Sequence, residues 1–368
     1  MKFFCDQREL IRKLNIVSKA VSTRTTIPSL KGILFDLKSN ELVLSASDLD
    51  MTIKTSLEVK GEENGKVVIP AKLALEIVRK YPAEELEIIE KDNNINIKCR
   101  NSNASVVGMD ASDYPVISTD EASGKPIVIN KNDLNNMIRK TSFAASIDQT
   151  KGILTGVLSE FNKDNITMVA IDGFRMAITK ENIKNEKEER MIISARILNE
   201  IIKITSEEEE EGVEIYNSGK NVVIKNDNTI VSIRTLAGEF VKYEDIIPKE
   251  NTIQVRVRRN EIMDAVERAS ILTDIKNNLI RVKIRENVMT ITSSSEEGGA
   301  VEDVLITKTG NDIEIGFNAR YLIDALKNID DEEIVMEMNS PITPCLITPI
   351  DGEKYTYIVL PVRLSNAS

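Results

Sequence analysis

The sequence predicts an α+β fold made of three copies of one domain, and three observations carry that reading. First, one helical segment recurs at a fixed interval. Pro70-Ala71-Lys72-Leu73-Ala74-Leu75-Glu76-Ile77-Val78, Ser194-Ala195-Arg196-Ile197-Leu198-Asn199-Glu200-Ile201-Ile202 and Asn318-Ala319-Arg320-Tyr321-Leu322-Ile323-Asp324-Ala325-Leu326 stand 124 residues apart. Second, an earlier helix repeats with it, since Leu10 and Leu134 are again 124 apart and Ile262 lies 128 further on. Third, the stretches between helices are short apolar and β-branched runs bounded by turn residues, which suits antiparallel strands in an α+β arrangement. A fixed period of this kind marks tandem homologous units, and thirds of about 120 residues are ordinary domains. The domains are expected at 1–121, 125–247 and 250–368, with polar or proline-bearing joints near 118–125 and 248–252.

Each copy reads strand, helix, several strands, helix, several strands. In the first copy, 1–4 is a strand, 6–21 a helix, 32–37, 41–46 and 51–59 strands, 71–80 a helix, and 86–89, 95–100 and 105–109 strands. In the second copy the late strands fall at 213–216, 221–225 and 230–234. The repeated second helix is entered from Pro70, Ser194 or Asn318, residues that favour helix starts, and its apolar positions keep helical period. Between two apolar strands in 168–179, Asp172-Gly173 is a strong hairpin-turn signal. Asp48 stands 124 residues earlier, so the turn is repeated too. Phe174 and Met176 then bracket Arg175 where a plain hairpin would carry polar residues. Two readings stay open: the apolar face is core, or it is a shelf with one cation offered to a partner.

Composition removes most chemistry. With 368 residues, 41% of them hydrophobic, the chain can build several cores, and no run approaches the ~18 apolar residues of a membrane span. Charge arrives too early in Met-Lys-Phe-Phe-Cys-Asp-Gln-Arg-Glu for a secretory segment, so a cytosolic protein is expected. The absence of histidine removes the usual general base and a common zinc ligand. Cys5, Cys99 and Cys345 are an odd number without Cys-x-x-Cys spacing, as suits reduced buried thiols. Neither glycine-rich phosphate-binding motif occurs. No cofactor, metal or catalytic site is expected. The one enzymatic alternative is a carboxylate- and metal-dependent nucleic-acid enzyme on Asp48, Asp50 and Asp172. Against it, Asp is favoured in turns for backbone reasons.

Charge is segregated. The chain is acidic overall, with 48 basic and 59 acidic residues, which by itself argues against a nucleic-acid binder. Yet the helix stretches 6–24, 72–80 and 131–140 are net basic, while acid collects at 207–211, 296–297 and 330–333. Repeated basic helices in an acidic chain point toward a separate cationic surface.

Seven stretches, Arg24-x-x-Ile27-Pro28-x-Leu30, Ser47-Asp48-Leu49-Asp50-Met51, Ile69-Pro70-Ala71-Lys72, Asp113-Tyr114-Pro115, Asp172-Gly173-x-Arg175-Met176-Ala177, Ile315-Gly316-Phe317-Asn318-x-x-Tyr321 and Tyr357-Ile358-Val359-Leu360-Pro361-Val362-Arg363-Leu364, follow one another in order along the chain. On these stretches the chain resembles the bacterial sliding clamp, the beta subunit of DNA polymerase III, along essentially its whole length. The resemblance implies a DNA-clamp fold, with two chains head to tail closing a six-domain ring, helices inside and antiparallel sheets outside. It implies non-specific duplex DNA as one partner, through Arg24, Lys72, Arg196, Arg12, Lys13, Arg139 and Lys140. Replicative polymerase, clamp loader and repair proteins would insert short peptides into a pocket of Leu154, Ile171, Gly173, Phe174, Arg175, Met176, Val241, Ile246, Asn318, Tyr321, Pro344, Ile358, Val359, Leu360, Pro361, Val362 and Arg363. Ile271 and Leu272 would pack across the dimer interface. Departures from the family pattern are Phe174 where His is expected, Val241 where Pro is frequent and Asp245 where a basic residue occurs, together with the tail 365–368.

Overall fold

Alternation of apolar residues sets the strands: along Met51–Glu58, Met51, Ile53, Thr55 and Leu57 are buried and the residues between them are not. The computed structural model describes residues 1–22, 25–115, 124–274 and 277–364. In the first third, β1 (Lys2–Asp6) leads into α1 (Gln7–Val17). There follow β2 (Gly32–Lys38), β3 (Glu41–Ser47), β4 (Met51–Glu58), β5 (Lys60–Glu63), β6 (Gly65–Pro70), α2 (Ala71–Lys80), β7 (Glu85–Lys91), β8 (Asn94–Cys99) and β9 (Ser102–Val107). The second third runs β10 (Ile127–Asn130), α3 (Lys131–Ser142), β11 (Gly156–Phe161), β12 (Asn165–Ile171), β13 (Arg175–Asn182), β14 (Glu189–Ser194), α4 (Ala195–Glu207), β15 (Gly212–Asn217), β16 (Asn221–Asn226) and β17 (Thr229–Arg234). The last runs β18 (Ile253–Arg258), α5 (Arg259–Ser270), β19 (Leu279–Arg285), β20 (Val288–Ser295), β21 (Gly298–Leu305), β22 (Thr307–Thr309), β23 (Ile313–Asn318), α6 (Ala319–Lys327), β24 (Glu333–Met338), β25 (Cys345–Pro349) and β26 (Tyr355–Val359).

Local chemistry fixes the helix starts. The Asp6 carboxylate accepts the N–H of Arg8 at 2.8 Å and of Glu9 at 3.2 Å, so α1 begins at Gln7. Asn318 caps α6 in the same way, accepting the Arg320 N–H at 3.0 Å. The first helix is shorter than the expected 6–21, because it tightens into a 3-10 turn over Ser18–Ala20. There the Ser18 hydroxyl donates to the Asn15 carbonyl at 2.8 Å, a local bond that competes with the helix ladder.

The three repeats are not the units of packing. One compact unit comprises Met1–Leu134 with Asn199–Thr235, the other Asn135–Leu198 with the chain from Leu236 onward, so the middle repeat is shared. The first unit holds a five-stranded sheet in the order β5-β1-β7-β8-β9 and an eight-stranded sheet in the order β10-β15-β16-β17-β4-β3-β2-β6. In the larger sheet, β4 and β17 come from different repeats and pair antiparallel, with Ile53 opposite Val231 and Thr55 opposite Thr229. The second unit holds a nine-stranded sheet in the order β14-β11-β12-β13-β26-β25-β24-β18-β22 and a four-stranded sheet in the order β21-β20-β19-β23. Its repeat junction is β13 with β26, which sets Met176 opposite Ile358. Continuous sheets across both junctions explain why compactness and repeat boundaries differ.

Candidate functional site

The residues expected to form a pocket at the Asp172 turn gather around the β13–β26 junction. Asp172 Oδ1 accepts the N–H of Phe174 at 2.8 Å and of Arg175 at 3.0 Å, and Gly173 adopts φ 96°, where a side chain is strained. The Asp172 N–H donates to the Arg175 carbonyl at 3.3 Å, which puts Gly173 and Phe174 at the tip, one position later than the sequence suggested. The C-terminal segment closes against this turn. Leu360 donates its N–H to the Phe174 carbonyl at 2.9 Å, and Val362 donates to the Gly316 carbonyl at 2.8 Å. A Cβ at Gly316 would lie 2.6 Å from the Val362 carbonyl oxygen, so this approach requires glycine.

One apolar cluster gathers Ile171, Met176 and Ile358 with Phe240, Tyr243 and Leu346, and Leu154 and Ile246 pack on it half-buried. Ile171, Met176, Ile358 and Val359 are at most 8% exposed, so they are core. Phe174 at 57% and Val241 at 37% are exposed, and Leu154, Ile246, Tyr321, Pro344, Leu360, Pro361 and Val362 are half-buried. Asn318 spends its side-chain oxygen on the α6 cap, and Arg363 is exposed. The stretch 168–179 thus divides, with Ile171 and Met176 in the core and Phe174 exposed. Its cation is not offered outward. The Arg175 side chain is only 11% exposed, and its guanidinium is taken by Asp172 and Asp324.

The expected nucleic-acid cations divide sharply. Arg24 lies outside the described residues. Lys72 on α2 and Arg196 on α4 are exposed. Arg320, the third member of that repeat, is exposed on α6 as well; repeat spacing alone could have nominated it. Lys72 and Arg320 make no ion pair among the described residues. Lys13 must be corrected: it is 1% exposed, with Nζ 2.9 Å from Glu208 Oε1. Burial holds the Glu208 carboxyl above its ordinary range, opposed by hydrogen bonds from Thr229 and Lys13. Arg12 pairs with Glu9 at 2.9 Å and reaches the Glu207 carbonyl. Lys140 is also corrected, being buried with Nζ 3.1 Å from Asp330 and 5.6 Å over the Tyr355 ring. Arg139 shares Asp330 at 2.6 Å and keeps a 39% exposed side chain. Partial burial pushes Asp330 up, but bonds from Lys140 and Arg139 hold it below the usual carboxylate range. Helix charge at these four positions is largely structural.

Asp48 and Asp172, two carboxylates of the enzymatic alternative, each hold a turn. Asp48 Oδ1 accepts the N–H of Asp50 at 3.1 Å and of Met51 at 2.8 Å, the same turn bonds that Asp172 makes. Ile271 is 77% exposed and Leu272 half-buried at the end of α5. A Cβ added at Gly298, the first residue of β21, would lie 3.9 Å from Leu272 Cδ2, so the pair borders an edge strand.

Comparison with known proteins bears on the family. The models for the N-terminal, central and C-terminal domains of the DNA polymerase III beta subunit match residues 1–118, 128–242 and 244–363. The beta sliding clamp of Synechocystis is 31% identical over 392 residues and covers all of both chains. That of Staphylococcus epidermidis is 30% identical over 99% of each. The DNA polymerase III beta subunit of Thermotoga maritima superposes with a TM-score of 0.94 at 30% identity, and the DNA polymerase sliding clamp of Bacillus subtilis with 0.94 at 29%; each comparison covers 99% of this chain and all of the other. With three domain models in order and full-length relatives at this identity, the chain belongs to the family of the DNA polymerase III beta subunit, the beta sliding clamp.

Proposed function

We propose that two copies of this chain close head to tail into a ring that encircles duplex DNA without sequence preference and tethers the replicative polymerase, clamp loader and repair proteins through short peptides. It acts as a processivity factor in the cytoplasm, without a catalytic site of its own. The domains are those of the repeat, 1–121, 125–247 and 250–368.

One observation carries the ring. Both internal repeat junctions are closed by equivalent antiparallel pairs, β4 with β17 and β13 with β26. The third pair of equivalents, β21 and β9, are both edge strands in their own sheets. They carry exposed apolar residues, with Val107 at 72%, Val301 at 71% and Leu305 at 75%. An exposed apolar edge invites strand addition, and a second copy offers the complementary edge in a closed, symmetric assembly. Carrying over the register of the internal junctions places Ala300 opposite Ala104 of the partner subunit. Inside such a ring, phosphate attraction to Lys72, Arg196, Arg320 and Arg24 tolerates any sequence and permits sliding.

The test is a disulfide trap. Ala104→Cys with Ala300→Cys should give covalent rings under oxidation, and rings sealed around closed circular DNA should stay bound in high salt yet run off linear DNA. A protein that remains monomeric, or that leaves circles and linear DNA equally fast, overturns the proposal.

A further inference from the structure

The Arg175 guanidinium is engaged by two carboxylates of its own chain. Its Nε donates to Asp172 Oδ2 at 3.1 Å, and its Nη1 donates to Asp324 on α6. Its guanidinium carbon also lies 4.9 Å from the centroid of the Tyr321 ring and 5.6 Å from that of the Phe143 ring. Two carboxylates therefore neutralise one cation between two aromatic rings, in a place where the side chain is only 11% exposed. Phe174, the next residue back, stacks on that same Tyr321 with centroids 5.9 Å apart and planes 19° apart. Tyr321 and Asp324 lie three residues apart on α6, hence on one face of it. The 172–175 turn and the first two turns of α6 are thus joined by a single assembly of Asp324, Arg175, Tyr321 and Phe174.

We propose that Arg175 and Asp324 are positioning residues that fix the Phe174–Tyr321 ledge of the peptide pocket, and that neither touches the peptide. This rests on the pocket assignment above. A binding wall works when packing and supporting hydrogen bonds hold its rotamers, and it loosens when that support is removed. The planar fork matters more than the charge, because only Arg can bridge two carboxylates while lying flat between rings. Since the cation is neutralised, the ledge selects peptide side chains by apolar and aromatic contact, and an acidic residue gains nothing there.

The experiment pairs peptide affinity with a direct reading of the ledge. The full-length dimer carries 4-fluorophenylalanine at position 174, and its fluorine shift reports the ring current of Tyr321. Affinity is measured with a fluorescein-labelled peptide from the cognate replicative polymerase. Asp324→Asn should remove the ring-current shift and weaken the peptide about tenfold, with dimer mass unchanged. Arg175→Lys should do the same, and serves as the test if Asp324→Asn fails to fold. Wild-type affinity together with an unchanged shift overturns the proposal. So does a lost shift with affinity intact, or lost affinity with the shift intact, which would make Asp324 a direct contact. Leu360→Ala is measured alongside: if it too keeps full affinity, the pocket has been misplaced, and the fluorine shift alone then decides whether the pair holds the ledge.

Discussion

Lys13 has the charge and helix position of a nucleic-acid contact, yet its environment is that of a core residue. Its Nζ sits 2.9 and 3.0 Å from the two oxygens of Glu208, whose side chain is fully buried, and the Thr229 hydroxyl and, at 3.6 Å, Arg12 Nη1 complete the carboxylate's surroundings. Two buried charges are stable only as a pair, so removing one strands the other. Lys13→Met alone should cost about 3–5 kcal/mol, while Lys13→Met with Glu208→Met should recover most of it. Urea unfolding of both single variants and the double variant gives the coupling directly. Equal, additive losses would show that the pair is not the unit. The same double variant should leave the salt dependence of DNA binding where it was, whereas Lys72→Ala should shallow the slope by about one phosphate contact. No reading of α1 alone could have separated these cations, because Glu208 lies 195 residues along the chain from Lys13.

At the scale of elements, the helices were legible because their period and capping residues are local, and the 124-residue repeat located all three copies of the second helix. Strands β5 and β6 were missed. Lys60-Gly61-Glu62-Glu63-Asn64-Gly65 reads as a loop, yet β5 pairs with β1, placing Phe3 opposite Gly61. Tertiary pairing overrides local propensity there, and a Cβ at Gly61 would meet the Ser39 carbonyl oxygen. The two Asp turns show the same balance from the other side. Leu49 occupies the position of Gly173 with φ 77°, and its side chain is 61% exposed, so it bears left-handed strain without compensating burial. Leu49→Gly should therefore raise stability, by up to about 1 kcal/mol after the entropy cost of glycine. Gly173→Ala should lower it by a similar amount. A thermal melt in which Leu49→Gly is the less stable protein would show that Leu49 is held by a contact that outweighs the strain.

The assembly was legible only through resemblance, since no single-chain pattern says which edges remain open. The structure supplies a physical reason for closure. Two repeat junctions are completed inside the chain, the third leaves β9 and β21 as edge strands, and Leu272 lies beside the start of β21. Within one copy, Ile271 is 77% exposed, so it contributes almost nothing to the fold of its own subunit. Any stabilisation it gives must come from a partner. Replacing Ile271 and Leu272 with Ala should then separate folding from association: unfolding of the isolated subunit should hardly change, while the dimer loses about 2–5 kcal/mol for each side chain that becomes well buried. At 1.4 kcal/mol per decade, that raises the dimer dissociation constant at least tenfold. Sedimentation at nanomolar concentration should show monomer accumulating, and retention on circular DNA should fall with it. Binding of the polymerase peptide should persist, because every residue proposed for its pocket comes from one chain. A variant that keeps wild-type dimer mass at those concentrations would place the subunit contact elsewhere on the molecule.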